Sequence, residues 1–220
     1  MDTEFWHGKW QQNEIGFHQS EINQHLMKHW ATLAIPEGAT VFVPLCGKSL
    51  DLLWLLDKGY RVIGVELSPI AVEDFFNENG IAFEVSEEGP FYVYRHDELT
   101  IYMGDFFDLT REQLDDVEVI YDRAALVALP AEMRERYAEH LCKMAPDNED
   151  VLLVTMEYEQ AEMSGPPFSV SETEVHDLFA NKYDIHSLER FDVLEHMPRF
   201  KERGISSLNE CIYHMNIKSS

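Results

Sequence analysis

Val41-Phe-Val-Pro-Leu-Cys-Gly-Lys-Ser-Leu50, followed by Arg61-Val-Ile-Gly-Val-Glu66, is the stretch that decides the fold. A short apolar run ends in a turn containing Gly47, and residues with helical spacing follow. A second apolar run then closes on a lone acid, Glu66, about 20 residues beyond the turn, the arrangement that nucleotide-type sites require. The turn lets backbone approach a ligand closely, and an acid at the end of the second strand can accept both hydroxyl hydrogens of a ribose. These residues point to a ribose-bearing ligand and leave its identity open.

The pattern extends outward in both directions. Upstream, the aromatic and polar segment to Gln19 has no clear periodicity, and a helix is predicted from Ser20 to about Leu33, with Ser20 as cap and Ile22, Leu26 and Trp30 at helical spacing. Between them, Val41 to Leu45 and Arg61 to Glu66 read as buried strands and Leu50 to Leu56 as a helix. Downstream, Ser68-Pro69 opens the next helix and Gly80 ends it. Phe91 to His96 and Leu99 to Met103 read as a β-hairpin inserted before the buried strand Val117 to Tyr121. Pro130 starts a helix with Met133, Tyr137, Leu141 and Met144 on one face; Glu132/Arg136 and Glu139/Lys143 pair on the other. After the strand Val151 to Met156 and a helix from about Glu172 to Phe179, two extended stretches, near Ile185 to Val193 and Leu208 to Ile217, end the chain. Alternating strands and helices predict an α/β fold, an open and mostly parallel Rossmann-like sheet with a C-terminal antiparallel strand pair. No linker or repeat divides residues 1–220, so one domain is expected.

Composition narrows the partners. With 17 basic against 41 acidic side chains the formal charge is -24, a field that repels nucleic-acid phosphates and anionic lipid but leaves room for a small anionic substrate in a local basic cleft. The start, Met1-Asp-Thr-Glu-Phe-Trp, carries acids where a secretory signal carries Lys or Arg, and no apolar run approaches the roughly 20 residues that cross a bilayer. A soluble, cytoplasmic, monomeric protein without nucleic-acid or membrane partners is expected. Cys46, Cys142 and Cys211 are widely spaced and read as reduced and mostly buried. Glu21, His25 and His29 fall four apart, but no third distant ligand or positioned acid accompanies them. They are read as a solvated helix face, and no metal is assigned.

Spacing argues against two ligand classes. Gly47-Lys48-Ser49 imitates the end of a Walker loop, yet Phe42 stands where its first glycine is needed. A dinucleotide fits poorly because Pro44-Leu45-Cys46 replaces the close-approach glycines. A smaller nucleoside ligand without phosphates suits so bulky a turn. Five blocks then resemble a known family: Trp10 and Phe17 in the aromatic segment, Val-Pro-Leu-Cys-Gly-Lys from 43, Gly-Val-Glu-Leu-Ser from 64, Gly-Asp-Phe-Phe-Asp-Leu from 104, and Tyr-Asp-Arg-Ala-Ala-Leu-Val-Ala-Leu from 121. Nearly end to end, the chain resembles the thiopurine S-methyltransferases, Class I enzymes that use S-adenosylmethionine.

The resemblance implies roles. Glu66 binds the ribose hydroxyls, Leu45 lies where backbone meets the methionine portion, and Asp105 and Phe106 contact the adenine. Residues 1–19 become a lid in which Trp6 and Trp10 cover the cofactor and Phe17 the acceptor; aromatic faces suit a sulfonium charge kept from water. Arg123, directly after a strand, lies in the cofactor site near the acceptor, and Arg199 faces the substrate. An arginine is no base but holds an anionic thiolate or a carboxylate. If a base is needed, Asp122 acting through a water is available, although nothing in the sequence singles it out. The expected reaction is methyl transfer to the thiol of an aromatic or heterocyclic small molecule, with selenium or tellurium species also allowed by resemblance to bacterial members. A nicotinamide-dependent oxidoreductase and a non-catalytic nucleoside-binding protein are the alternatives.

Overall fold

The computed structural model describes residues 3–16, 18–147 and 149–218. The chain forms two compact units, Met1–Ile120 and Tyr121–Ser220. In the first unit β1 (Thr40–Val43) is buried on both faces, as a β-branched and aromatic run in a parallel sheet should be. It pairs in parallel with β2 (Arg61–Glu66), in register Val41 to Val62. The helix between them is α3 (Asp51–Asp57), and α4 (Pro69–Glu78) follows β2, its start capped by the Ser68 side chain and preorganised by Pro69. Ala71, Val72, Phe75 and Phe76 form the buried stripe of α4.

The hairpin is less peripheral than its sequence suggests. Its strands are β4 (Phe91–His96) and β5 (Leu99–Met103), and β5 pairs in parallel with β2, so Leu99 and Ile101 are core residues. A further strand, β3 (Glu84–Glu88), adds to β4 antiparallel. All of its side chains are exposed, and the edge it forms is acidic, which discourages pairing with another chain. On the other side of β1 lies β6 (Val117–Arg123), parallel to it, so the order in this sheet is β3-β4-β5-β2-β1-β6.

Two N-terminal expectations change. The aromatic segment is helical, α1 (Thr3–Gln11), which its sequence did not reveal because only Trp10 of its residues is fully buried and so short a helix shows almost no periodicity. The following helix, α2 (Gln24–His29), starts later than expected. Asn23, not Ser20, is its cap: Asn23 Oδ1 accepts from the His25 and Leu26 amides at 2.9 and 3.3 Å, and the Asn23 amide donates to Asp51 at 2.8 Å. Ile22 and Glu21 therefore precede the helix. Nor do the histidines form a solvated face, since His25 and His29 are only 2% and 8% exposed and their rings stack at 6.5 Å.

In the second unit α5 (Ala131–Met144) buries Tyr137, Leu141 and Met144 of the expected face but leaves Met133 only half-buried, and it also buries Ala138 and Arg134, whose charge is met by Glu174 at 2.6 Å and the Leu129 carbonyl at 2.8 Å. Lys182 caps the other end of α5 by donating to the carbonyls of Cys142, Ala145 and Pro146. The strands β7 (Asp150–Glu157), β8 (Tyr183–Asp192) and β9 (Asn209–Ile217) form an antiparallel set in the order β7-β9-β8, which contains the expected terminal pair. The helix α6 (Glu172–Phe179) precedes β8 and α7 (Pro198–Glu202) follows it. Beneath α7, Phe200 packs with Tyr158, Met163, Val193, Leu194, Ile205 and Leu208 in a separate apolar cluster.

Candidate active site

The turn after β1 is built from two left-handed residues. Leu45 has φ 47° and Gly47 φ 53°, a shape that glycine adopts freely and leucine only at a cost of about 1–2 kcal/mol. Backbone contacts over-determine it: the Cys46 amide donates to Val65 O at 3.0 Å, bringing the turn back onto β2. Gly64 makes that approach possible, because a Cβ there would lie 2.8 Å from Cys46 Sγ. Burial and the nearby charge of Glu66 push the Cys46 thiol well up, so it is a packing group and no nucleophile.

Glu66 ends β2 beside this turn. Its Oε2 accepts from the Gly47 amide at 2.9 Å and its Oε1 from the Ser68 amide at 2.8 Å. These bonds orient the carboxylate and leave it with acceptor capacity for a ligand hydroxyl. Burial raises its pKa above the ordinary glutamate value even though the amides of Ser68, Gly47 and Leu67 and the charge of His7 pull the other way. A vicinal diol donating two hydrogens relieves that loss of water, so the residues present fit an adenosyl group.

The segment after β5 is tied to the same strand end, since the Gly104 amide donates to Glu66 O at 2.9 Å. Asp105 caps the next turn by accepting from the Phe107 amide at 3.0 Å. Phe106 is only 1% exposed, so its ring belongs to the core and this segment offers a ligand Asp105 and backbone. Trp10 is buried, and a Cβ at Gly47 would lie 3.2 Å from its ring, which places α1 against the turn. His7 Nε2 lies 3.3 Å from Leu67 O; its place beside Glu66 had no signal in the sequence beyond its position one residue after Trp6. Trp6 is half-buried and meets Phe5 edge to face. Phe17 lies outside the described residues. Lys48, the imitation of a Walker lysine, points to α4 and pairs with Glu78 at 2.6 Å and Asp74 at 3.3 Å.

In the second unit Arg123 is the last residue of β6, and Ala124 after it has φ 65°. Asp122 does not serve as a water-linked base: it is 1% exposed, with one oxygen accepting from Tyr137 Oη at 2.7 Å and the other from the Leu126 amide at 3.2 Å. Burial lifts its pKa to about 6 against the lowering effect of those bonds. Its role is to hold the strand-to-loop turn that carries Arg123. Arg199, on α7, lies over the Phe200 ring at 4.8 Å.

Comparison with known proteins turns this geometry into a family. The thiopurine S-methyltransferase family model matches residues 1–218, and the thiopurine S-methyltransferase of Pseudomonas fluorescens (strain Pf0-1) is 51% identical over 215 residues, covering 98% of this chain and 99% of that protein. The chain belongs to the thiopurine S-methyltransferase family. It is an S-adenosylmethionine-dependent S-methyltransferase. The thiopurine S-methyltransferase of Nitrosospira multiformis is 49% identical, covering 97% of each chain. Among solved structures, an Anabaena variabilis S-adenosylmethionine-dependent methyltransferase superposes with TM-score 0.66 at 12% identity, covering 98% of this chain and 95% of that one. A Thiobacillus denitrificans methyltransferase in complex with S-adenosyl-L-homocysteine gives TM-score 0.62 at 13% identity, with 96% and 98% covered. At such identities these likenesses show the α/β methyltransferase fold alone.

Proposed function

We propose that the acceptor of this family member is the thiolate of an aromatic or heterocyclic small molecule of thiopurine type. Glu66 is assigned to the ribose diol, the turn at Leu45 to the methionine end, Asp105 and the Phe106 backbone to the adenine, and Arg123 and Arg199 to the acceptor. The observation that carries the reading is the buried Glu66 carboxylate, aimed by two backbone amides and left with acceptor capacity beside a strained turn. When bound, the cofactor supplies a sulfonium methyl that the acceptor sulfur takes as its new S–C bond forms and the old one breaks, leaving two neutral thioethers.

The chain's own residues then have limited tasks. Trp6 and Trp10 shield the cofactor from water, Glu66 fixes its sugar, and the arginines stabilise the thiolate form of the acceptor and orient it for in-line attack. No covalent intermediate on the protein and no base are required. The family match runs through both units, which supports one methyltransferase domain with residues 1–19 as its lid. The acidic edge strand β3 and the charge of -24 support a monomer, and three free cysteines support a reducing, cytoplasmic setting. Among the described residues no helix is long and apolar enough to cross a membrane.

The test is transfer of labelled methyl from S-adenosylmethionine to a panel of thiopurines, aryl thiols, aliphatic thiols, selenite and tellurite. Aromatic and heterocyclic thiols are expected to be the best acceptors by kcat/KM. A clear preference for aliphatic thiols or for the inorganic species would overturn the assignment.

A further inference from the structure

The helix α1 has little of its own to keep it in place. Its nine residues are too few for a stable helix in water, Gly8 in its interior weakens it further, and Trp10 is its one fully buried side chain. Its position depends on what its side chains reach. His7 and Trp10 stand three positions apart and share a face, and they come down on either side of Glu66. Trp10 rests on the turn that precedes β2, where a Cβ at Gly47 would lie 3.2 Å from Trp10 Cζ2. His7 rests on the chain that follows β2, with its Nε2 3.3 Å from Leu67 O.

The same two stretches of backbone hold the carboxylate, since the Gly47 amide donates to Glu66 Oε2 at 2.9 Å and the Ser68 amide to Oε1 at 2.8 Å. One face of α1 therefore spans the grip on Glu66. The His7 contact joins positions 60 apart, whereas Lys9 of the same helix pairs with Glu14 inside its own segment. A carbonyl oxygen only accepts, so the half-buried imidazole presents Nε2–H to it; the neutral ring protonated at Nε2 and the imidazolium both do so. Burial raises the Glu66 pKa, and the charge of His7 is among the influences that pull it down, as its place beside Leu67 leads one to expect.

We propose that His7 is a positioning residue for the cofactor: by donating to Leu67 O it pins α1 across the two backbone stretches that grip Glu66, and so keeps Trp10 seated on the turn where the adenosyl group binds. The inference rests on the reading that Glu66 holds the ribose and that residues 1–19 cover the cofactor. Without the bond, α1 spends part of its time off the turn, and cofactor affinity falls in proportion to the fraction of molecules in which α1 is in place. Methyl transfer itself, once the cofactor is bound and covered, asks nothing of the imidazole. The loss therefore falls on binding and spares turnover at saturation.

The experiment compares His7→Phe, which keeps a ring and removes the donor, with His7→Gln, which restores an N–H near the place of Nε2. Binding of S-adenosylhomocysteine is measured by titration calorimetry, and initial rates are measured with saturating thiophenol while S-adenosylmethionine is varied. His7→Phe is expected to raise Kd and the cofactor KM about fivefold, the worth of one net hydrogen bond, with kcat changed by less than about twofold. His7→Gln should recover most of the loss. Unchanged affinity in His7→Phe, a fall in kcat with KM unaltered, or an equal loss in His7→Gln would overturn the inference. Trp10→Ala separates it from the reading beneath: weaker binding there with none in His7→Phe keeps the lid and removes His7 from it. Unchanged binding in Trp10→Ala would overturn the lid itself, and the inference with it.

Discussion

Glu66 and Asp122 are both buried carboxylates at strand ends, and their surroundings divide their tasks. Glu66 gives one lone pair of each oxygen to a backbone amide, so Glu66→Gln is not conservative: a glutamine has one acceptor oxygen for two N–H donors and sets its own NH2 against one of them. The variant is expected to bind S-adenosylhomocysteine at least tenfold more weakly by titration calorimetry, a loss of about 1.5–3 kcal/mol, with kcat at saturating cofactor less affected. Unchanged affinity would remove Glu66 from the site. Asp122 is 1% exposed with both oxygens engaged within the fold, and its effect is on stability. Its folded pKa of about 6 stands above the roughly 3.9 of an unfolded chain, so the folded state holds the proton more tightly. The associated stability is full below about pH 4 and is lost as pH rises through about 6. Asp122→Asn lacks that loss, so its stability relative to wild type should rise by up to about 3 kcal/mol between pH 4 and pH 7 in denaturant titrations. A pH-independent difference would show that Asp122 ionises normally.

The element from β1 through the turn and α3 to β2 concentrates the backbone strain of the candidate cofactor site. Leu45 and Gly47 turn left-handed, Cys46 folds back on Val65, and Gly64 leaves room for its sulfur. Gly64→Ala puts a Cβ 2.8 Å from Cys46 Sγ and is expected to cost about 1–3 kcal/mol and to weaken cofactor binding, because the turn must shift. Adding Cys46→Ala removes the sulfur and should restore much of both losses; additive losses in the double-mutant cycle would show that this contact does not set the turn. The element was legible as strand, turn and strand because its apolar runs and its acid follow chain order. The Gly64–Cys46 contact was not, since its partners are 18 positions apart and meet only when β2 lies beside β1. The same distinction separates α4, whose cap and buried stripe read directly from Ser68-Pro69 and the apolar spacing, from α2, whose start is set by Asn23 through a bond to the distant Asp51.

For the molecule as a whole, binding to the folded state alone links cofactor to stability. At about 100 times its dissociation constant, S-adenosylhomocysteine should stabilise the chain by about 2.7 kcal/mol, raising Tm by about 5–10 °C in a protein of this size. A dinucleotide is expected to leave Tm unchanged, and the reverse pattern would favour an oxidoreductase. The α/β class, the order of the central elements, the acid at the end of β2 and the family blocks were all determined by the sequence, because period, turn chemistry and chain order act over short spans. Only the tertiary structure decided that β5 joins the parallel strands, that His25, His29 and Arg134 are buried, and that Asp122 is spent on Tyr137. Each of those facts depends on which residues distant in the chain exclude water from one another, and a local pattern of side chains carries no record of that.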